Sequence, residues 1–261
     1  MLGIVAIFFQ SEILYANEFD CRIEPNVVIN VGSDVEGVLS QVLVEQGDFV
    51  QEGQMLAKFD TTLQELAVRI AQVRSENESV IRTNKTRVEF GERRFARTKE
   101  LFENEISSLS ELDEAETAKI LADLALIEAR EAKRLAELDL NRAWAELNLR
   151  TIQSPIKGVV IERFLSPGEL VSRTPIVKLA QLDPLRVGVF VPAKMLGKVK
   201  VGMIAEIRPA DPVGGRYSAR VAVVDQVVDA ASGTFGIRLS LPNPQYLLPA
   251  GLKCRIQFPL Q

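Results

Sequence analysis

Short β-branched runs broken by single glycines flank a long proline-free segment, and beyond the second set the pattern turns to alternation with period two. The two flanking sets are copies of one another. Ser33-Asp34-Val35-Glu36-Gly37-Val38 recurs as Ser154-Pro155-Ile156-Lys157-Gly158-Val159, at a constant offset of 121 residues. Further on, that offset sets Gly47 against Gly168, the acidic Asp48 against the acidic Glu169, and Val50 against Val171. Runs of this kind predict strands joined by turns that need positive φ. Roughly 30 residues cannot bury a core alone, so the two copies are expected to pack on each other as a small β-sandwich, with everything between them projecting as an insertion. Chance recurrence of Gly-Val turns is the competing explanation. The register kept from Ser33 to Val50 argues against it.

The insertion reads as helix. From Thr61 to Leu149 there is no proline, and Gly91 is the only glycine. In its second half, alanines at 115, 118, 122, 125, 129, 132 and 136 alternate by three and four residues and predict one seam of a coiled coil. The first half has a weaker stripe in Leu63, Leu66, Ile70, Val73 and Val80, then turns polar through Asn84 and Arg87. A break is expected between Glu103 and Ser110, where Ser108 stands three residues before Glu111 as a capping box. Two helices of roughly 40 residues give an arm of about 60 Å. After Asp183-Pro184, alternating runs such as Val187, Val189, Val191 and Leu252, Cys254, Ile256, Phe258, with Gly and Pro between them, predict a small antiparallel barrel. The expected fold class is mixed α and β, multidomain: a β-sandwich split by a helical coiled-coil hairpin and followed by a β-barrel.

Composition removes several functions. The chain has 261 residues, and its 31 basic and 35 acidic side chains are interspersed with a net charge of −4, so no nucleic-acid surface is expected. There is no histidine and there are only two cysteines, which removes the usual zinc, haem and histidine acid–base sites. No catalytic residues, metal or cofactor are expected. Leu2–Phe9 is apolar, but Gln10, Ser11 and Glu12 interrupt it well short of the ~20 residues of a membrane span. With Ala16 as a cleavage position, residues 1–16 are a candidate signal peptide, although the first basic residue is Arg22. A core strand or a misplaced start is the alternative. Glu18-Phe19-Asp20 before Cys21 lacks the small residues that precede lipid-modified cysteines, so a lipid anchor is not expected.

Three stretches carry a family resemblance: Ser154–Val159, Pro167-Gly168-Glu169-Leu170-Val171, and Leu182-Asp183-Pro184-Leu185. With Gly202 and Gly251, each opening a strand that ends at Ile207 or Ile256, the layout resembles the periplasmic adaptor family of tripartite RND-type efflux pumps. This is the membrane fusion protein family of haemolysin D type, and the likeness covers about residues 21–258. It implies a lipoyl-like β-sandwich at 33–60 and 154–182, a coiled-coil hairpin at 61–150, a β-barrel domain at 183–261 and an N-terminal strand at 17–32 joining the barrel. Family members carry a further membrane-proximal domain, which is expected to be absent or reduced here because the sequence stops at Gln261. The implied function is a non-catalytic adaptor in the periplasm, associated with the cell envelope. Its implied partners are an inner-membrane efflux transporter, an outer-membrane duct and copies of itself in a hexamer. The alternatives are a lipoyl- or biotin-type carrier domain of an enzyme complex, an adaptor of an ABC-type secretion system, and a coiled-coil scaffold.

Two sets of residues follow from the resemblance. Arg97, Leu101 and Ser108, spaced Arg-x3-Leu-x6-Ser, match the motif with which the family meets the outer-membrane duct; the competing reading is a solvated arginine, a seam leucine and an N-cap serine. In the adaptor fold the segment before the first lipoyl-like half runs close to the barrel. Cys21 and Cys254, each on an alternating apolar run, are then expected either to form a disulfide or to remain two buried free thiols.

Overall fold

The computed structural model describes residues 15–259. The signal-peptide expectation rests on residues outside that range, apart from Tyr15 and Ala16, which open the first strand. The chain forms two compact units, one of the described residues up to Ala57 together with Ile152 onward, the other Lys58–Thr151. In chain order the strands before the helices are β1 (Tyr15–Val31), β2 (Gly37–Val42), β3 (Phe49–Val50) and β4 (Met55–Phe59). Helices α1 (Thr62–Glu76), α2 (Ser79–Glu103) and α3 (Leu109–Asn148) follow. Then come β5 (Thr151–Gln153), β6 (Gly158–Arg163), β7 (Leu170–Val171), β8 (Val177–Pro192), β9 (Ile204–Pro209), β10 (Tyr217–Val224), β11 (Thr234–Leu241) and β12 (Lys253–Pro259).

The repeat survives down to single hydrogen bonds. The Ser33 hydroxyl donates to the Val35 carbonyl and accepts from the Val35 N–H; Ser154 does the same with Ile156. The Glu45 N–H donates to the Asp48 carboxylate at 2.8 Å, and in the second copy the Ser166 N–H donates to Glu169 at 2.7 Å. Gly47 and Gly168 both adopt left-handed φ, 97° and 89°, a conformation that costs glycine little because it has no Cβ. Each copy then grips the other: the Gly47 N–H reaches the Val160 carbonyl, and the Gly168 N–H the Leu39 carbonyl. Val50 and Val171 are both buried, as are Leu39, Val44, Leu56, Val160 and Leu179. Two halves, neither able to close a core alone, share one.

The third region is a closed ring of six strands in the order β1, β12, β9, β10, β11, β8, with β8 returning to β1. Closure leaves no sheet edge within the ring. The alternate positions Val187, Val189, Val191, Ala205, Ile207, Ile237, Leu239, Leu241, Ile256 and Phe258 fill its interior. Sandwich and barrel share two strands. β1 pairs with β8 over Cys21–Pro25, shifts register, and pairs again over Val27–Val31 against Val177–Gln181 in the sandwich. Leu182-Asp183-Pro184-Leu185 therefore lies within a continuous strand. Buried Asn243 ties a loop to it, with its N–H on Asp183 and its amide on the carbonyls of Leu182 and Leu248. A second tie is the Phe49–Tyr246 ring contact, centroids 4.8 Å apart.

The helical unit departs from the sequence reading in its seams. α3 turns Ala115, Lys119, Ala122, Leu126, Ala129, Lys133, Ala136, Leu140, Ala143 and Leu147 inward, a sustained four-three alternation. Ala115, Ala122, Ala129 and Ala136 of the expected seam belong to it, but Ala118 and Ala132 are exposed. On the facing arm the buried residues are Val68, Ala71 and Ser75 on α1 and Asn84, Val88 and Gly91 on α2. The expected stripe of Leu63, Leu66, Ile70, Val73 and Val80 is exposed. The reason is packing partner rather than hydrophobicity. α3 accepts a narrow polar and small-residue seam: the Asn84 amide donates to the Ala125 carbonyl, and a Cβ on Gly91 would lie 3.2 Å from the Lys119 backbone. The ascending arm is also broken. Asn77 is extended, and its side chain accepts from the Ser79 N–H and hydroxyl, so α2 starts afresh. Just past the break, Glu78 pairs with Lys133.

Candidate functional site

The hairpin tip is built from two reciprocal caps. α2 ends in a Schellman arrangement: the Glu105 N–H donates to Phe102 and the Ile106 N–H to Leu101, both at 2.9 Å, which satisfies carbonyls the helix leaves without partners. Glu105 adopts φ 60°, a left-handed conformation usually taken by glycine. Five residues after α2, Ser108 opens α3 with a full capping box. Its hydroxyl accepts from the Glu111 N–H, while the Glu111 carboxylate accepts from the Ser108 N–H at 2.8 Å. Those two donors, the Ser108 N–H first and its hydroxyl second, hold the Glu111 carboxyl below its ordinary pKa.

Arg97 and Leu101 are four residues apart on one face of α2, one helical turn from each other. The Arg97 guanidinium folds back to donate to the Arg93 carbonyl at 3.3 Å. Leu101 is exposed, and its carbonyl is the acceptor of the Schellman bond. Ser108 lies across the loop as the N-cap of α3. The three residues thus share one end of the hairpin, each also with a local structural task. Sequence reasoning missed the apolar content of this end: Ile106, 72% exposed, and Leu109, 60% exposed, stand beside Leu101 and Phe102. The available signal was a pair of large apolar residues in a short polar connection, where a solvated turn needs none.

Carboxylates held below their ordinary range are Asp60, Glu78, Glu111 and Asp229. Asp60, Glu111 and Asp229 accept from N–H or hydroxyl groups two or three residues along the chain, and Glu78 from Lys133. All four are turn, cap or ion-pair groups. Cys21 and Cys254 are direct partners in the β1–β12 ladder, buried in the barrel cluster, with sulfurs 2.11 Å and Cα atoms 4.8 Å apart.

A duplicated sandwich opened by a helical hairpin, with a six-stranded barrel hung on its shared strands, is the architecture of a modular adaptor. A family described as the CzcB-like, barrel-sandwich hybrid domain matches residues 27–180, and the CusB-like, beta-barrel domain matches residues 187–260. The chain belongs to the membrane fusion protein family of periplasmic adaptors. It is 25% identical over 271 residues to the membrane fusion protein MtrC of Neisseria gonorrhoeae, a match covering 98% of this chain and 62% of MtrC. To the cobalt-zinc-cadmium resistance protein CzcB of Cupriavidus metallidurans it is 24% identical, over 89% of this chain and 42% of that protein. The chain therefore spans between 42% and 62% of the length of these relatives. In fold it is similar to the crystal structure of MacA from Actinobacillus actinomycetemcomitans, with a TM-score of 0.79 at 23% identity, over 93% of this chain and 78% of that one.

Proposed function

We propose that this protein is a non-catalytic adaptor of the periplasm that joins an inner-membrane efflux transporter to an outer-membrane duct, working as several copies together. The observation that carries this reading is what stands between the two sandwich halves. A lipoyl or biotin carrier displays a lysine on the tight turn joining its halves; here Lys58–Thr151 form a separate helical unit, with α3 alone 40 residues and about 60 Å long. A spacer of that length serves a bridge and gives nothing to a carrier. The tip, with Arg97, Leu101 and Ser108 at its caps and Ile106 and Leu109 exposed, is the surface offered to the duct. Among the described residues no helix is long and apolar enough to cross a membrane.

Two measurements test the reading. Capture of the tagged chain after cross-linking in whole cells should recover both an inner-membrane transporter and an outer-membrane channel, and a nucleotide-binding subunit in that capture would assign the ABC alternative. Recovery of an acyl- or carboxyl-transfer enzyme complex, with a lipoyl or biotinyl adduct in the intact mass, would overturn it. Complementation with Leu101→Glu should abolish efflux at normal expression, and undiminished efflux would remove the tip from the contact.

A further inference from the structure

One row of residues on the outer wall of the barrel works against the stability of the sheet that carries it. Arg22 of β1 stands opposite Lys253 of β12 on one side and Gly188 of β8 on the other, and Gly188 in turn stands opposite Arg238 of β11. Lys253, Arg22, Gly188 and Arg238 therefore form one line across four strands. The line faces outward, because Cys254, Ile23, Val189 and Ile237 beside its members are buried in the barrel. Like charges directly opposite each other, as Arg22 and Lys253 are, destabilise a sheet, and glycine in the interior of a strand weakens it. Packing does not require the glycine. A Cβ on Gly188 would meet no atom within 4 Å, and its φ is not in the left-handed region. Gly236 of β11 differs, since the Asp225 carboxylate occupies the place a Cβ there would take.

The absent side chain at 188 opens a hollow of about 730 Å³ on the barrel wall. Phe190, two residues along β8 and 74% exposed, forms one side of it, with its ring edge 3.7 Å from the Cβ position of Gly236. Four cations, Arg22, Arg186, Arg238 and Lys253, face the hollow against three carboxylates, Asp20, Glu24 and Asp225, in a chain whose net charge is −4. Arg186 is taken by Glu24 at 2.9 Å. The other pairs are loose, Arg22 to Glu24 at 3.8 Å and Arg238 to Asp225 at 3.9 Å, well beyond the ~2.7–2.9 Å of a charge-assisted hydrogen bond. Arg22 and Arg238 each stand one strand spacing, about 4.8 Å, from Gly188. Both guanidinium forks can close on a group resting over the glycine.

We propose that this hollow binds a phosphate ester carried on an apolar or aromatic body. The phosphate sits over Gly188 between Arg22 and Arg238, with Lys253 beside it, and the body lies against the face of Phe190. Two planar forks and an ammonium offer more donors than the two oxygens of a carboxylate use, and they match the three free oxygens of a phosphate monoester. The small residue then has its reason, since glycine in a strand marks close approach by a ligand. The same chemistry belongs to a soluble aryl phosphate and to the head group of an anionic phospholipid. This site goes beyond the adaptor reading and does not depend on it.

The test is calorimetric titration of the full chain with 1-naphthyl phosphate, with 1-naphthol and inorganic phosphate as its two halves. Naphthyl phosphate should bind saturably, one per chain, more tightly than either half, and more weakly as salt is added. Arg22→Gln, Arg238→Gln and Lys253→Gln should each weaken it about three- to tenfold, the worth of one partly exposed charge-assisted contact. Gly188→Val should abolish binding while the thermal midpoint stays level or rises, because valine suits a strand and has room there. Sedimentation with phosphatidylglycerol vesicles, against phosphatidylcholine vesicles as control, distinguishes the sources. Co-sedimentation lost in Gly188→Val assigns a lipid head group, and binding of naphthyl phosphate without co-sedimentation assigns a soluble ester. No saturable binding of either probe, equal binding of 1-naphthol, or binding undisturbed by Gly188→Val and the three glutamine variants each overturns the proposal. So does a response confined to a glutamate-rich peptide, which would make the row a protein contact.

Discussion

Ser108 has two roles that a suitable substitution separates. Its hydroxyl caps α3, and by the proposed function it also faces the duct. Asparagine caps a helix as well as serine does, and its amide can donate to the Glu111 carboxylate as the Ser108 hydroxyl does. Ser108→Asn should therefore leave the thermal midpoint of the hairpin nearly unchanged while lowering efflux. Ser108→Ala should instead cost about 1 kcal/mol of stability, measured by urea unfolding. Full efflux from Ser108→Asn would reduce Ser108 to a cap. Three residues earlier, Glu105 occupies the left-handed position that closes α2. A side chain there costs about 1–2 kcal/mol, part of which glycine returns through its freer unfolded state. Glu105→Gly should stabilise the hairpin by about 0.5–1 kcal/mol, visible as a higher denaturation midpoint. A lower midpoint would mean that the Glu105 side chain makes a contact worth more than the backbone strain. The capping box was legible in the sequence because serine and glutamate three apart are what it is made of. The Schellman turn was not, because glutamate stands where glycine usually marks it.

At the scale of elements, which stripe of a helix is buried has a direct test. Ala129 lies in the seam of α3 and is buried, whereas Ala132, placed in the same seam by its spacing, is exposed. Ala129→Leu forces extra methylenes between the arms and should destabilise by about 1–3 kcal/mol. Ala132→Leu should stay within about 0.5 kcal/mol. Equal losses would return both alanines to one seam. The ambiguity is physical, since both sets contain alanines at intervals of three and four, and only the arm packed against α3 distinguishes them. On α1 the same ambiguity is sharper. The stripe with more leucine and valine is the exposed one, so ranking stripes by hydrophobicity selects the wrong face.

For the whole molecule, the decisive closure is β1 against β12, which brings the start of the described chain beside its end. Cys21 and Cys254, 233 residues apart, meet there as register partners. We propose that the bond between them forms in the oxidising periplasm. Closing so long a loop restricts the unfolded chain, and loop-closure entropy puts the gain at about 5.5 kcal/mol. Denaturation with reductant should occur at a markedly lower midpoint than without it. Alkylation of the denatured, unreduced protein should label neither cysteine, and labelling of both would show two free thiols.

What the sequence by itself determined were the features whose chemistry is local. The duplicated halves were readable because each needs the same glycine at positive φ, the same acidic side chain on a turn N–H and the same serine folded onto its own chain, at Gly47, Asp48 and Ser33 and again at Gly168, Glu169 and Ser154. The six-stranded barrel was readable as a β-region from its alternation, and the hairpin from the missing prolines. The tertiary structure alone decided the contacts between distant segments. It set Leu63, Leu66, Ile70 and Val73 outward because a narrow polar seam through Asn84 and Gly91 fits α3. It carried β8 unbroken through Leu182–Leu185 because β1 pairs on both sides of the bulge. It made Asn243 the tie between loop and strand. Each of these depends on what another part of the chain places opposite a residue, and residue spacing along one segment holds no record of that.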